Sequence, residues 1–206
     1  MEGIPHPIQF LSGDEPQDQL RMSIVTKKGD GGQTALRMGR KTSKAAWRVE
    51  AYGTVDELSA ALGVARSFLG QDARFGDFAS RILTVQNQLL SVGADLATRP
   101  EDAQAPGGGI KHFYEDSFLT WLEDQVPGLE SGLRMDRFVL PGENPASAHL
   151  HYARTVCRRA ERSVIRLREE GGEPIVPDML PYLNRLSDYL WLMAEKCALA
   201  TADSGS

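Results

Sequence analysis

Five stretches of the chain repeat apolar residues at the three- and four-residue spacing of a helix with one buried face. The first, Trp47 to Leu69, carries Val49, Tyr52, Val55, Leu58, Leu62 and Val64 with Ala65 on its stripe, interrupted by Asp56 and Glu57. The second, Phe75 to Leu96, carries Phe78, Ile82, Val85, Leu89, Val92 and Leu96. A shorter amphipathic helix is predicted over Phe113 to Gln125, with Phe118, Leu119 and Leu122 inward and Trp121 beside them. The fourth runs from Ser147 to Glu169, with Ser147 as its N-cap. The fifth spans Pro177 to Thr201. Pro177 and Asp178 suit a first turn, while the internal Pro181 moves the start of regular helix toward itself. No alternating pattern of useful length predicts a strand. The fold class is therefore all-α, an up-down bundle of about five helices within one domain over residues 23–201.

The connections differ in character. Residues 1–22 are mixed, acidic and proline-containing and read as a flexible extension, and residues 202–206 as a frayed polar tail. Residues 23–46 open with SIVTKKGDGGQTALRMG, a glycine-rich loop supplying backbone N–H groups, hydroxyls at Thr26 and Thr34, and the ammonium groups of Lys27 and Lys28. Arg40, Lys41 and Lys44 follow it. The order of a Walker A motif is absent. Residues 98–110 form a Pro/Gly linker, and RMDRFVLPGENPAS breaks the periodicity before the fourth helix.

Charge narrows the partners. The 206 residues carry a formal net charge of −5, so no global basic field invites nucleic acid or an anionic membrane. There is neither a signal-peptide pattern nor an apolar run near eighteen residues, and the expected location is cytoplasmic, without membrane association. Cys157 and Cys197 lie in apolar helical patterns without metal-ligand spacing and read as buried thiols of a reducing compartment. His149 and His151 fall on different helical faces, so no protein-held metal is expected.

Against that acidic background, ARTVCRRAER at 153–162 holds four arginines. Arg154, Arg158 and Glu161 share one helical face, and Arg162 closes the next turn. Like charges at i, i+4 repel, and the helix tolerates this if an anion, a partner carboxylate or solvent stands opposite. In YLNRLSDYLW, Asn184 and Asp188 share a face that can grip a sugar hydroxyl, an arginine or a hydrated metal ion. One of Asp56 and Glu57 is expected at the interior or a subunit contact, where a carboxylate needs a cation, and the arginines of 153–162 are the available donors. Together these groups suit a polyphosphate. No side-chain nucleophile is indicated.

Five ordered blocks resemble the PduO-type ATP:cob(I)alamin adenosyltransferases: TKKGDGGQT, RVEAYGTVDELSAALG, LTVQNQLLSVGADLAT, FVLPGENPASAHLHYARTVCRRAER and YLNRLSDYLW. The resemblance implies a homotrimer of helix bundles. It implies ATP, with Mg²⁺, held between subunits by the glycine-rich loop of one chain and the arginine helix of the next. The implied reaction is attack of cobalt(I) of a reduced corrinoid, cob(I)alamin, on the 5′ carbon of ATP. The alternative is a corrinoid- and ATP-binding carrier or sensor that has lost turnover.

By the same match, Arg154 pairs with the neighbour's Asp56, and Arg158 contacts the triphosphate together with loop residues, here Thr26, Lys27, Gly29, Asp30, Gly31, Thr34 and Lys44. Asn184 touches the nucleotide, Glu161 and Asp188 complete the polar network, and Phe138 and Trp191 lie at the corrinoid. A reductase delivering cobalt(I), or an enzyme consuming adenosylcobalamin, is a further possible partner. The chain departs from the family text at Lys28 (commonly Thr), Ser59 (Asn), Trp191 (Phe), the GEN of FVLPGEN, and MAEKCAL, where an arginine-containing ending is usual.

Overall fold

The computed structural model describes residues 25–103, 112–134 and 139–202. Five helices account for most of these residues: α1 (Trp47–Leu69), α2 (Gly76–Leu96), α3 (Ser117–Glu130), α4 (Pro145–Glu169) and α5 (Met179–Ala202). Short 3-10 turns at Ala73–Phe75 and Pro100–Asp102 flank α2. The predicted bundle is present. α1 packs on α2 and α4, α4 on α5, and α3 on α5. The ring closes where the Tyr182 hydroxyl of α5 donates to Gln88 Oε1 of α2 at 2.9 Å, both groups being buried.

Cross-helix contacts fix the directions. Phe68 near the end of α1 stacks on His149 near the start of α4, with ring centroids 4.8 Å apart, so these helices are antiparallel. Cys157 donates to the Leu183 carbonyl, and His151 meets Glu195, which makes α4 and α5 antiparallel as well. The start of α1 therefore shares one end of the bundle with the close of α2, the close of α4 and the start of α5. The core holds the predicted stripe, including Val55, Leu58, Leu62, Ile82, Val85, Leu89, Leu150, Val156, Leu183 and Leu186.

Boundaries shift for local reasons. α4 begins at Pro145, and its cap is Asn144, whose side chain accepts from Ser147 N at 2.8 Å. Ser147 is instead a buried first-turn residue, since proline occupies the position that needs no N–H donor. α3 starts four residues later than expected and continues through Pro127 to Glu130, anchored by buried Leu129. In α5 regular helix starts at Met179, which puts Pro181 in the first turn, where its missing N–H costs nothing. Val64 faces solvent at 43% exposure, and Ala65 takes the stripe position.

The sequence predicts no strand, yet Gln33–Ala35 (β1) and Lys41–Ser43 (β2) pair antiparallel, with Thr34 opposite Thr42. Met38 (φ 64°) and Gly39 (φ 80°) both take left-handed backbone to turn this hairpin. Leu36 is buried beneath it, and Arg37 N donates to the Ala97 carbonyl at 3.0 Å. Arg40 pairs with Asp102 at 2.6 Å, and the Arg37 guanidinium lies 4.0 Å from the Phe113 ring centroid. Three-residue strands are too short to show alternation.

At the same end Arg48, 5% exposed, caps α2 from α1. Its Nη1 donates to the carbonyls of Leu96 (2.8 Å) and Thr98 (3.0 Å), and its Nη2 to Glu173 (2.7 Å) in the α4–α5 connection. One guanidinium thus ties three elements together. Arg48→Ala orphans the last carbonyl of α2, that of Thr98 just beyond it, and a half-buried carboxylate. The expected loss is about 3 kcal/mol, or roughly 6–12 °C in Tm for a chain of this length, read by urea and thermal unfolding.

Candidate functional site

The glycine-rich segment makes a tight exposed turn ahead of β1. Asp30 N donates to the Lys27 carbonyl at 3.3 Å and Gly32 N to that of Gly29 at 3.2 Å, with Lys27 at φ 57° and Gly32 at φ 77°. Lys44 N then donates to the Gly32 carbonyl at 2.9 Å, folding the lysine back over the turn. A Cβ on Gly29 would stand 3.0 Å from Lys44 Nζ, so glycine admits the ammonium close to the backbone. Thr26, Lys27, Asp30, Gly31 and Lys44 are exposed, while Gly29 and Thr34 are half-buried. The turn thus gathers Thr26, Lys27, Gly29, Asp30, Gly31 and Lys44, while Thr34 sits in the hairpin behind.

A second group lies on the outer face of α4 and α5. Asn184 Nδ2 donates to Glu161 Oε1 at 3.2 Å, and Arg185 Nη1 donates to Asp188 Oδ2 at 3.2 Å. Arg158 is exposed and makes no ion pair among the described residues. Arg154 is half-buried, and its Nε is shut from solvent without a hydrogen-bond partner. Beneath them Cys157 is fully buried, donates Sγ–H to the Leu183 carbonyl at 3.3 Å, and has its pKa pushed up by that burial. Cys197 is likewise buried and raised to about 12. Neither thiol is a nucleophile at neutral pH. Trp191 is half-buried against the core on α5, and Phe138 lies outside the described residues.

Asp56 stands on the opposite flank, exposed in a groove of about 260 Å³ between α1 and α2, lined by Tyr52, Gly53, Ser59, Leu90 and Gly93. It has no ion pair among the described residues. Its neighbour Glu57 takes the in-chain cation instead, pairing with Arg159 across the α1–α4 seam.

The single chain does not bring these groups together. The Arg166 guanidinium lies 6.0 Å from the Trp47 ring centroid, which fixes the level of the loop end on α4. Arg158 and Arg154 lie eight and twelve residues back along that helix, about 12 and 18 Å away at 1.5 Å per residue. The loop, the α4–α5 face and the Asp56 groove occupy three separate places on one bundle.

Sequence reasoning missed two buried polar groups. One is Arg48. The other is the pair His151 and Glu195, 3% and 8% exposed, with His151 Nε2 3.1 Å from Glu195 Oε1. An i, i+4 or i, i+7 search within one helix cannot find it, because its members lie on different helices. His149 and His151 do face different ways, His149 stacking on Phe68. No group of three or more metal-ligating side chains forms among the described residues, and no helix among them is long and apolar enough to cross a membrane.

The described residues form a helix bundle with a lysine-bearing glycine-rich turn at one end and, on one flank, Arg154 and Arg158 without an ion pair, groups whose chemistry suits an anion. The cobalamin adenosyltransferase family model matches residues 24–197, and the chain belongs to that family. A corrinoid adenosyltransferase of Bacillus subtilis is 37% identical over 174 residues, covering 84% of this chain and 85% of its own. One of Mycobacterium leprae is 38% identical over 177 residues, covering 83% and 88%. Among solved structures, a variant PduO-type ATP:corrinoid adenosyltransferase from Lactobacillus reuteri, complexed with cobalamin and ATP, superposes with a TM-score of 0.77. It is 33% identical and is covered over 91% of its length by 86% of this chain.

Proposed function

We propose that this chain transfers the 5′-deoxyadenosyl group of ATP to the cobalt(I) of a reduced corrinoid, giving adenosylcobalamin and tripolyphosphate. The electron pair of cobalt(I) forms the Co–C5′ bond, the C5′–O bond breaks, and tripolyphosphate leaves with those bonding electrons. No protein nucleophile is needed, in keeping with two buried thiols of raised pKa. What the chain supplies is charge: Arg158 and the lysines of the turn stabilise the anion growing on the leaving group. Mg²⁺ enters with the substrate as Mg·ATP.

The observation that carries this reading is the split site. The Asp56 groove lies between α1 and α2, and the arginine face lies between α4 and α5, on opposite flanks of the ring of helices. Opposite, complementary flanks favour head-to-tail contacts, and such contacts that close make a cyclic ring. A trimer of this kind sets Arg154 of one chain against Asp56 of the next and lays the glycine-rich turn over Arg158. Gly53 and Gly93 let the neighbour approach closely. Asn184, held by Glu161, then meets the nucleoside, Asp188 belongs with Glu161 to the polar network, and Trp191 lies at the corrinoid, the role the family match also gives Phe138. A reductase delivers the cobalt(I).

The direct test is an anaerobic assay of cob(I)alamin with Mg·ATP, followed by visible absorption. Turnover is expected. Binding of both ligands without turnover would replace the enzyme by a carrier. Arg154→Ala removes the interface pair and is expected to move the sedimentation profile from trimer toward smaller species at micromolar concentration. An unchanged profile would remove Arg154 from the interface.

A further inference from the structure

Glu161 stands among arginines and forms an ion pair with none of them. Arg158 lies one turn before it on α4, Arg154 two turns before and Arg162 directly after. Its hydrogen bond among the described residues goes instead to an uncharged amide, Asn184 Nδ2 on α5, at 3.2 Å. Helix packing sets this pairing. The buried contacts of His151 with Glu195 and of Cys157 with the Leu183 carbonyl fix α4 against α5, and Glu161 and Asn184 fall opposite each other in that same antiparallel register. A carboxylate offers acceptors only, so the amide meets it through its NH2 end. The carbonyl oxygen, Oδ1, is then the free acceptor of an exposed side chain, with no hydrogen bond among the described residues. The adjacent cation does not take it either, since Arg185 is engaged with Asp188 at 3.2 Å and Glu123 at 3.7 Å.

We propose that Glu161 is a positioning residue: it fixes the amide of Asn184 so that Oδ1 meets the substrate nucleoside and accepts from an N–H or O–H donor on it. This rests on the reading of the chain as an enzyme that uses ATP. Phosphate oxygens are acceptors, which the arginines of α4 match and Oδ1 repels. ATP offers two kinds of donor to such an oxygen, the adenine 6-amine and the ribose hydroxyls. A nucleotide lacking the donor leaves Oδ1 unmatched, which selects against it. The bond is away from the atoms that change, so it holds substrate and transition state alike, and its loss falls on binding rather than on kcat.

The test runs equilibrium titration and anaerobic turnover with Mg·ATP and three analogues. Inosine triphosphate has a carbonyl oxygen in place of the 6-amine, and 2′-deoxy-ATP and 3′-deoxy-ATP each lack one hydroxyl. Wild-type protein is expected to weaken by about ten-fold in Kd and KM for the analogue without the donor, with kcat within about two-fold, which identifies the donor. Glu161→Met releases the amide, and that ratio is expected to shrink to about three-fold or less. The double variant Glu161→Gln/Asn184→Asp exchanges the two groups at constant charge: the amide now donates from α4, and an acceptor-only group stands on α5. Discrimination is expected to return in it, and unfolding midpoints show that both variants fold. Equal binding of ATP and all three analogues by the wild type, full discrimination in Glu161→Met, or none in the exchanged pair overturns the assignment. Discrimination in titration without turnover leaves the positioning role standing and sinks the enzymatic reading instead.

Discussion

Arg158→Ala is expected to lower kcat/KM for Mg·ATP by about 10² to 10³-fold, since a charge-assisted contact to a developing anion supplies roughly that much. Tripolyphosphate leaves with its charge spread over many oxygens, and a guanidinium aimed at it strengthens its hold as the C5′–O bond lengthens. Stability is expected to stay constant, because Arg158 is exposed and makes no ion pair among the described residues. That contrast separates a catalytic loss from an unfolding one. Arg158→Lys keeps the charge but loses the planar fork, and its rate is expected to fall between the two. Steady-state kinetics with saturating cob(I)alamin, beside thermal unfolding of each variant, reads both quantities. Near-normal kinetics in Arg158→Ala would take the leaving-group role away from this residue.

The bundle was legible because its helices are long and their apolar stripes strict. Leu58, Leu62, Ile82, Val85 and Leu89 sit in the core where their spacing puts them. Ends were harder to read. Ser147 and Asn144 are both good caps in isolation, and the choice between them is made by Pro145 and by the bond from Asn144 Nδ2 to the Cys197 carbonyl at 2.9 Å, a contact with α5 that no local pattern contains. The hairpin escaped because its stability lies in docking: Leu36 beneath it and Arg40 on Asp102 are long-range contacts.

The site shows the same division between local and distant information. Arg154, Arg158 and Glu161 could be put on one face by counting along α4, and Asn184 does bond Glu161. Which acid takes an arginine inside the chain could not be counted, because Asp56 and Glu57 are adjacent and differ only in the direction they leave α1. Glu57 points along the seam to Arg159, and Asp56 into the groove beside α2. His151 and Glu195 are 44 residues apart in the sequence and meet only because α4 and α5 run antiparallel.

Two inactive variants are expected to make an active mixture. The double variant Lys27→Ala/Lys44→Ala removes two cations of the glycine-rich turn, and Arg158→Ala removes the guanidinium, so each alone is expected to be at least 10²-fold slow. If the turn of one chain serves the arginine face of the next, each junction in a mixed ring needs one intact contribution from each neighbour. After denaturation and refolding at equal concentrations, each chain at a junction supplies its intact part half the time, so about one quarter of junctions are complete and about one quarter of wild-type activity returns. A site built within one chain gives a different outcome, since every chain in the mixture carries a lesion and mixing restores nothing. The roughly 12 to 18 Å along α4 between the loop end and the two arginines is the reason to expect recovery, because a single chain would have to fold its turn back over three turns of helix to close the site alone. Activity measured against mixing ratio adds a second check: recovery is expected to follow the product of the two subunit fractions and to peak at equal amounts.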